Sequence, residues 1–221
     1  MLLHTNDDAA AIRRCRSGDI RGLDALMTRH QVQALRVAYL LTGDRMQAED
    51  VVQDSFLQAF HTIKHFRPDH PFEPWLHGIV THVARQRLRG TSRRREVSLN
   101  AMSPVGSTHA PDALSVARRA SVEGSDPVEA AELAERRRAL LDALSALTQK
   151  QREAVVLHYY AGYSDREMAR VLGCPSGTAR QRVHAGLGAL ERIIRERYSW
   201  LDAAARPPSN AASAREDTGH G

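Results

Sequence analysis

Cysteine is scarce in this chain. Cys15 and Cys174 are its two cysteines, far apart and with no second thiol near either. That excludes a disulfide framework, a zinc knuckle and a paired redox motif, and both read as buried thiols rather than redox sensors. Aromatic residues make up 5% of the 221 residues, and alternating apolar–polar runs are nearly absent, which argues against a sheet. No window approaches the apolar length of a membrane span, and the segment from Met1 to Ala11 lacks the apolar core of a signal peptide. No glycine-rich phosphate loop occurs. His61 and His65 stand four residues apart and His70, His77 and His82 follow, yet no carboxylate or cysteine sits beside them at ligand spacing. The expectation is a soluble, cytoplasmic protein without membrane insertion, metal site, cofactor or catalytic residues.

What is present is helical punctuation. Apolar residues recur at three- and four-residue spacing almost throughout, which predicts an all-α fold. The clearest segment runs from Tyr163 to His184. Ser164 and Glu167 have capping-box spacing, and Met168, Ala169, Val171 and Leu172 give an inward face. Gly173 stands where a helix ends in a left-handed residue, and Pro175 blocks its continuation. Ser176 or Thr178 can then open a second helix, whose inward side is Ala179, Val183, Leu187 and Leu190. Arg180, Gln181 and His184 lie opposite. A capped short helix, a glycine turn and a donor-rich second helix spell a helix-turn-helix, whose ligand is duplex DNA.

The net charge of +5 is modest, but its placement is not. Arg85, Arg87, Arg89, Arg93, Arg94 and Arg95 follow one another with no acidic residue before Glu96, a pattern suited to a polyanion. Upstream, one block from Leu23 ends at Gly43, and Asp44 with Gln47 opens a second helix carrying Val51, Val52, Phe56, Ala59 and Ile63 inward. A stiff loop with Pro68 and Pro71 leads to Pro74, read as the first residue of a third helix that buries Trp75, Leu76, Ile79, Val80, Val83 and Leu88. From about Ser92 to Ser125 the pattern dissolves into Ser, Gly, Pro, Ala and Arg, the composition of a flexible linker. Helical spacing resumes near Asp126, and Thr148 with Gln151 forms another capping box.

Two polar faces stand out in the first half. Asp50, Gln53 and Asp54 share one side of the second helix and suit a partner with a basic surface. On the third helix His82, Gln86 and Arg89 share a face, with Thr81 and Arg85 beside them. The loop before it offers Arg67, Asp69, His70 and Phe72, with Trp75 at the joint. Rings and cations on a rigid loop suit an unstacked base, since stacking is worth about 1–3 kcal/mol per base. The plain alternative for Phe72 and Trp75 is a place in the core.

Gln47-Ala48-Glu49-Asp50-Val51-Val52-Gln53-Asp54-Ser55-Phe56 resembles the core-polymerase-binding helix of bacterial RNA polymerase sigma factors. Phe72-Glu73-Pro74-Trp75-Leu76-His77-Gly78-Ile79-Val80 resembles the start of their −10-reading helix, and the segment around Gly177-Thr178-Ala179-Arg180 their −35-reading helix-turn-helix. Order and linker point to the two-domain, extracytoplasmic-function group of the sigma-70 family. The resemblance implies two small helical domains joined by a flexible linker: 8–95 for core binding and −10 recognition, 96–127 as linker, 128–197 for −35 recognition, and 198–221 as a disordered tail. It implies that Asp50, Gln53 and Asp54 dock on the clamp coiled coil of the polymerase's largest subunit. Arg67, Asp69, His70, Phe72 and Trp75 would hold a flipped non-template base, with Thr81, His82, Arg85, Gln86 and Arg89 lining the adjacent groove and backbone. Ser176, Thr178, Arg180, Gln181 and His184 would meet the −35 duplex, with Arg182 on phosphate. His82, Gln86 and Ala185 depart from the residues common at those places in the family. An anti-sigma protein is the expected inhibitor. The other reading left open is a stand-alone helix-turn-helix regulator with an N-terminal dimerisation or sensor domain.

Overall fold

The computed structural model describes residues 5–99 and 127–198. Among these residues there are eight α-helices and no strand: α1 (Thr5–Arg16), α2 (Arg21–Thr42), α3 (Arg45–Thr62), α4 (Phe72–Leu99), α5 (Pro127–Ser145), α6 (Gln149–Val155), α7 (Asp165–Leu172) and α8 (Ser176–Arg197). A short 3₁₀ turn, Ile63–His65, ends α3, and a π-helical turn, Val156–Tyr160, extends α6. The calls of a linker and a C-terminal tail fall chiefly on 100–126 and 199–221, outside the described residues.

Helices α1 to α4 pack around Leu26, Val37, Val51, Phe56, Ile63, Leu76 and Val80, each nearly or wholly buried. Helix α1 went unread in the sequence, although Ala11, Ile12 and Cys15 have helical spacing and are all buried. Gly22 lets α1 approach α2 closely: a Cβ there would lie 2.5 Å from the carbonyl oxygen of Ala11 and 2.8 Å from the amide nitrogen of Cys15. Burial pushes the Cys15 thiol up, and nearby Asp19 adds to the effect.

The caps read from the sequence divide into kept and corrected. Thr148–Gln151 and Ser164–Glu167 form reciprocal capping boxes, and Gly43 and Gly173 end their helices at φ 72° and 62°. Asp44 accepts from the amide of Gln47, but the Gln47 Oε1 is buried without a partner, so that box is half made. Neither Ser176 nor Thr178 caps α8; Pro175 takes the N-cap place, in extended backbone that presets the turn. Helix α4 begins at Phe72, which puts Pro74 inside the first turn rather than at its start, and it continues to Leu99 through the arginine run. Across the junction of α6 and the π turn, Glu153, Ala154, Val155, Val156 and Leu157 are all buried, because this segment is covered on more than one side.

The C-terminal helices do not stand apart. Ala154, Leu157, Tyr163, Met168, Ala179 and Val183 form a small core of their own. Ala143, Leu144, Leu147, Val155, Val156 and Leu190 instead join the larger core made by α1 to α4. Arg152 carries this contact further, donating to the carbonyls of Leu41 at 2.8 Å and Ser145 at 2.6 Å and so satisfying an orphan acceptor at the end of α2. The two helical domains are packed on one another in this arrangement.

Candidate nucleic-acid interface

Helix α3 turns Asp50, Gln53 and Asp54 to solvent, opposite buried Val51, Val52, Phe56 and Ala59. The carboxylates are not free. Arg87, from α4, reaches Asp50 at 2.8 Å and Asp54 through the other arm of its guanidinium, and these bonds raise the Arg87 pKa. The bridge leaves each carboxylate side chain about half exposed. Met46, 76% exposed, and Leu57, 48% exposed, flank them on the same helix. The patch is acidic at its centre with apolar shoulders.

The loop between α3 and α4 exposes Arg67, Asp69 and His70. Asp69 lies 3.9 Å from the imidazole of His70. Phe72 does not face outward: it is 3% exposed, with ring centroids 5.2 Å from His30, 5.8 Å from Phe66 and 5.6 Å from Trp75. In this arrangement Phe72 is a core ring, packed among the rings of Phe66, Trp75 and His30. Trp75 is partly buried, and one side of it borders a cavity of 530 Å³ shared with His65, Arg67, His70 and His82. Arg170 and Val171, from α7, also line this cavity.

Along α4 the expected DNA-facing residues have unlike surroundings. His82 and Gln86 are exposed and lie 2.9 Å apart, and Arg89 is exposed. Thr81 is 1% exposed, and its hydroxyl donates back to the carbonyl of His77 at 2.7 Å. Arg85 is engaged by Glu153 of α6 through two parallel bonds, Nε to Oε1 at 3.0 Å and Nη2 to Oε2 at 2.6 Å. That fork raises the Arg85 pKa, and Glu153 is 1% exposed.

Two turns before Arg85 the imidazole Nδ1 of His77 meets the hydroxyl of Tyr163 at 2.6 Å, both groups buried. Burial lowers the His77 pKa to about 4, with His30 adding to the effect, so the ring is neutral; its Nε2 has no hydrogen-bond partner. Burial likewise pushes the Tyr163 phenol up. Glu153 was not singled out from the sequence, and nothing there paired His77 with Tyr163. Their partners lie 68 and 86 positions away, and spacing carries no signal at that range.

The helix-turn-helix is the more open half. Ser176, Arg180, Gln181 and His184 are exposed, and Thr178 and Arg182 are partly so. Arg180 is held by Asp165 at 2.6 Å yet stays 67% exposed, and Arg182 points one arm at the sulfur of Cys174, 3.5 Å away. Among the described residues, no group of three or more His, Cys, Asp or Glu is placed to hold a metal, and no helix is long and apolar enough to cross a membrane.

Comparison with known proteins follows these same two halves. The family model Sigma-70 region 2 matches residues 26–94, and Sigma-70, region 4 matches residues 137–190. The chain is 30% identical to the ECF RNA polymerase sigma factor SigM of Mycobacterium tuberculosis over 86% of either chain. It is also 30% identical to the ECF RNA polymerase sigma-E factor of Haemophilus influenzae, over 85% of this chain and 95% of that one. Two solved structures share the fold. CnrH in complex with the cytosolic domain of CnrY has a TM-score of 0.58 at 24% identity, covering 86% of this chain and 99% of that one. The sigma factor RpoE in complex with the anti-sigma factor NepR from Bartonella quintana has 0.56 at 20%, covering 82% and 98%. Helices α2 to α4 and α5 to α8 are therefore regions 2 and 4 of one factor, and the chain belongs to the extracytoplasmic-function group of the sigma-70 family, whose members serve promoter-specific transcription initiation.

Proposed function

We propose that this chain, working in the cytoplasm, carries RNA polymerase core to promoters through three surfaces and performs no covalent chemistry itself. Asp50, Gln53 and Asp54 dock on the clamp coiled coil of the largest subunit. The loop with Arg67, Asp69 and His70, together with Trp75, captures a non-template base of the −10 element. Phe72 supports that loop from the core, and Thr81 braces α4 through its bond to His77. His82, Arg85, Gln86 and Arg89 then follow the strand. Ser176, Thr178, Arg180, Gln181 and His184 read the −35 duplex, and Arg182 meets phosphate.

The observation that carries this reading is the pairing, in one chain, of an exposed carboxylate face on α3 with an exposed donor-rich start of α8. A stand-alone regulator has no use for the first. An anti-sigma protein is the expected inhibitor, because RpoE of like fold was solved bound to one.

Co-elution of the purified chain with sigma-free core polymerase tests the proposal. The wild-type chain is expected to co-elute. Asp50→Arg with Asp54→Arg is expected to abolish co-elution while the helical signal stays unchanged. A folded double variant that still co-elutes contradicts the docking assignment.

A further inference from the structure

We infer that α1 braces the loop that captures the −10 base, and that Arg16 is the positioning residue through which it does so. Side chains of α1 reach both ends of that loop, although α1 lends no residue to the cavity beside Trp75. The inference rests on the reading of residues 66–72 as the base-capturing segment. It extends that site to a helix outside the matched region, which begins at residue 26.

The first anchor stands at the entry to the loop. Arg16, in the last turn of α1, donates from Nη2 to the carbonyl of Phe66 and from Nε to that of Ile63 at 3.4 Å. Ile63 opens the 3₁₀ turn that ends α3, so its carbonyl belongs to the negative end of that helix, where a cation is favoured. Phe66 follows in extended backbone, at φ −65° and ψ 134°, and its carbonyl receives a charge-assisted bond where the chain leaves the turn.

The second anchor stands at the exit. Asp8 of α1 is buried and accepts from Nη1 of Arg29 at 2.7 Å and from Nε2 of His30 at 3.1 Å. A carboxylate only accepts, so this pair keeps a proton on Nε2 and fixes the orientation of the imidazole. That ring stands 5.2 Å from Phe72, the first residue of α4. The two anchors converge on Trp75, whose ring lies 5.0 Å from Phe66 and 5.6 Å from Phe72. Phe66 and Trp75 in turn line the cavity with Arg67, His70 and His82.

Between the anchors, residues 67–71 are all exposed, and their own backbone contributes the bond from the His70 amide to the Arg67 carbonyl at 3.1 Å. A segment with so few contacts takes its shape from its ends. With both ends held, a base meets a formed pocket; with one released, the loop must be ordered at the moment of capture, which weakens binding of that base.

Assembled holoenzyme and a promoter fork test this. The fork is copied from a start site that wild-type holoenzyme selects, and each nucleotide of its −10 non-template strand is replaced in turn by an abasic one. Arg67→Ala with His70→Ala strips the loop of exposed side chains and identifies the position the loop holds. Arg16→Met keeps the aliphatic stem and removes the donors, Arg16→Lys restores a donor, and Asp8→Asn weakens the other anchor. Core co-elution and the helical signal report that each variant is folded.

In wild type the abasic nucleotide at the loop's position is expected to weaken binding about tenfold, the loss of one stacked base. In Arg16→Met and Asp8→Asn that penalty is expected to shrink to about twofold while the penalties at other positions stay as in wild type, and Arg16→Lys is expected to recover most of it. A folded Arg16→Met that keeps the full penalty overturns the brace. So does one that loses affinity equally at every position, because general loosening leaves the ratio between intact and abasic forks unchanged. An Arg16→Met chain that does not fold leaves the decision to Asp8→Asn, where an unchanged ratio likewise overturns it. A scan in which no position responds to Arg67→Ala with His70→Ala contradicts the base-capturing reading itself, whatever the Arg16 variants do.

Discussion

Helices α4 and α8 are the two candidate DNA-facing helices of this chain, and they are kept in opposite conditions. Helix α8 shows its donors at its N-terminal end, where Ser176, Arg180, Gln181 and His184 stand in solvent. Helix α4 shows His82, Gln86 and Arg89 but gives up Arg85 to Glu153 and buries Thr81 and His77. The difference shows that a residue's type marks what it can bind, whereas the groups packed against it decide whether it is available. Asp165 on Arg180 and Glu153 on Arg85 are both carboxylates 2.6 Å from a guanidinium. The first pair leaves its arginine mostly in water and contributes little; the second has its carboxylate almost wholly buried at the contact between the two halves.

The covered helix offers the largest expected effect. His77 has a folded pKa near 4 against an ordinary value of 6.5, so the unfolded chain takes up the proton first as pH falls. Its contribution is fully present above about pH 6.5, is lost as pH falls from there towards 4, and changes no further below that. The loss amounts to about 3 kcal/mol. Urea unfolding of wild type and His77→Gln at pH 7 and pH 4 checks this, the expected result being a smaller acid loss in the variant. Equal losses in both proteins would take the contact between α4 and Tyr163 out of the comparison.

From the exposed side, Arg180→Ala is expected to weaken binding of the assembled holoenzyme to −35 duplex by about 1–3 kcal/mol, with core co-elution unchanged. Titration of labelled promoter duplex measures it. Unchanged selectivity would mean that the open helix is not the reading helix. A smaller effect concerns the frame that presents it. Ser164→Ala removes half of the capping box of α7 and is expected to cost about 1 kcal/mol in thermal or urea unfolding, with DNA contacts intact.

The same comparison shows where the sequence was informative. The helix-turn-helix could be read because each of its marks is local: Ser164 with Glu167, Gly173, Pro175 and the donors that follow lie within one short stretch. The carboxylate face on α3 could be read for the same reason. The surroundings of α4 could not be. Glu153 looks in sequence like an ordinary surface glutamate on a capped helix, and its burial and its pairing with Arg85 of α4 become visible only in the folded chain. Phe72 could be read in sequence as a ring for a base or as a core aromatic, because its neighbours Phe66 and Trp75 gave no direction; in the structure it is buried, with His30 of α2 also against it. Helix α1 was overlooked for a simpler reason, its mean polarity, although its buried stripe was visible.

Transcription by purified core polymerase on a library of random promoters, with and without this chain, tests the central claim most directly. The account predicts discrete start sites that depend on the chain and share two separated sequence blocks, with the upstream block altered by Arg180→Ala. Core polymerase that neither retains the chain nor starts RNA at chain-dependent sites would contradict it.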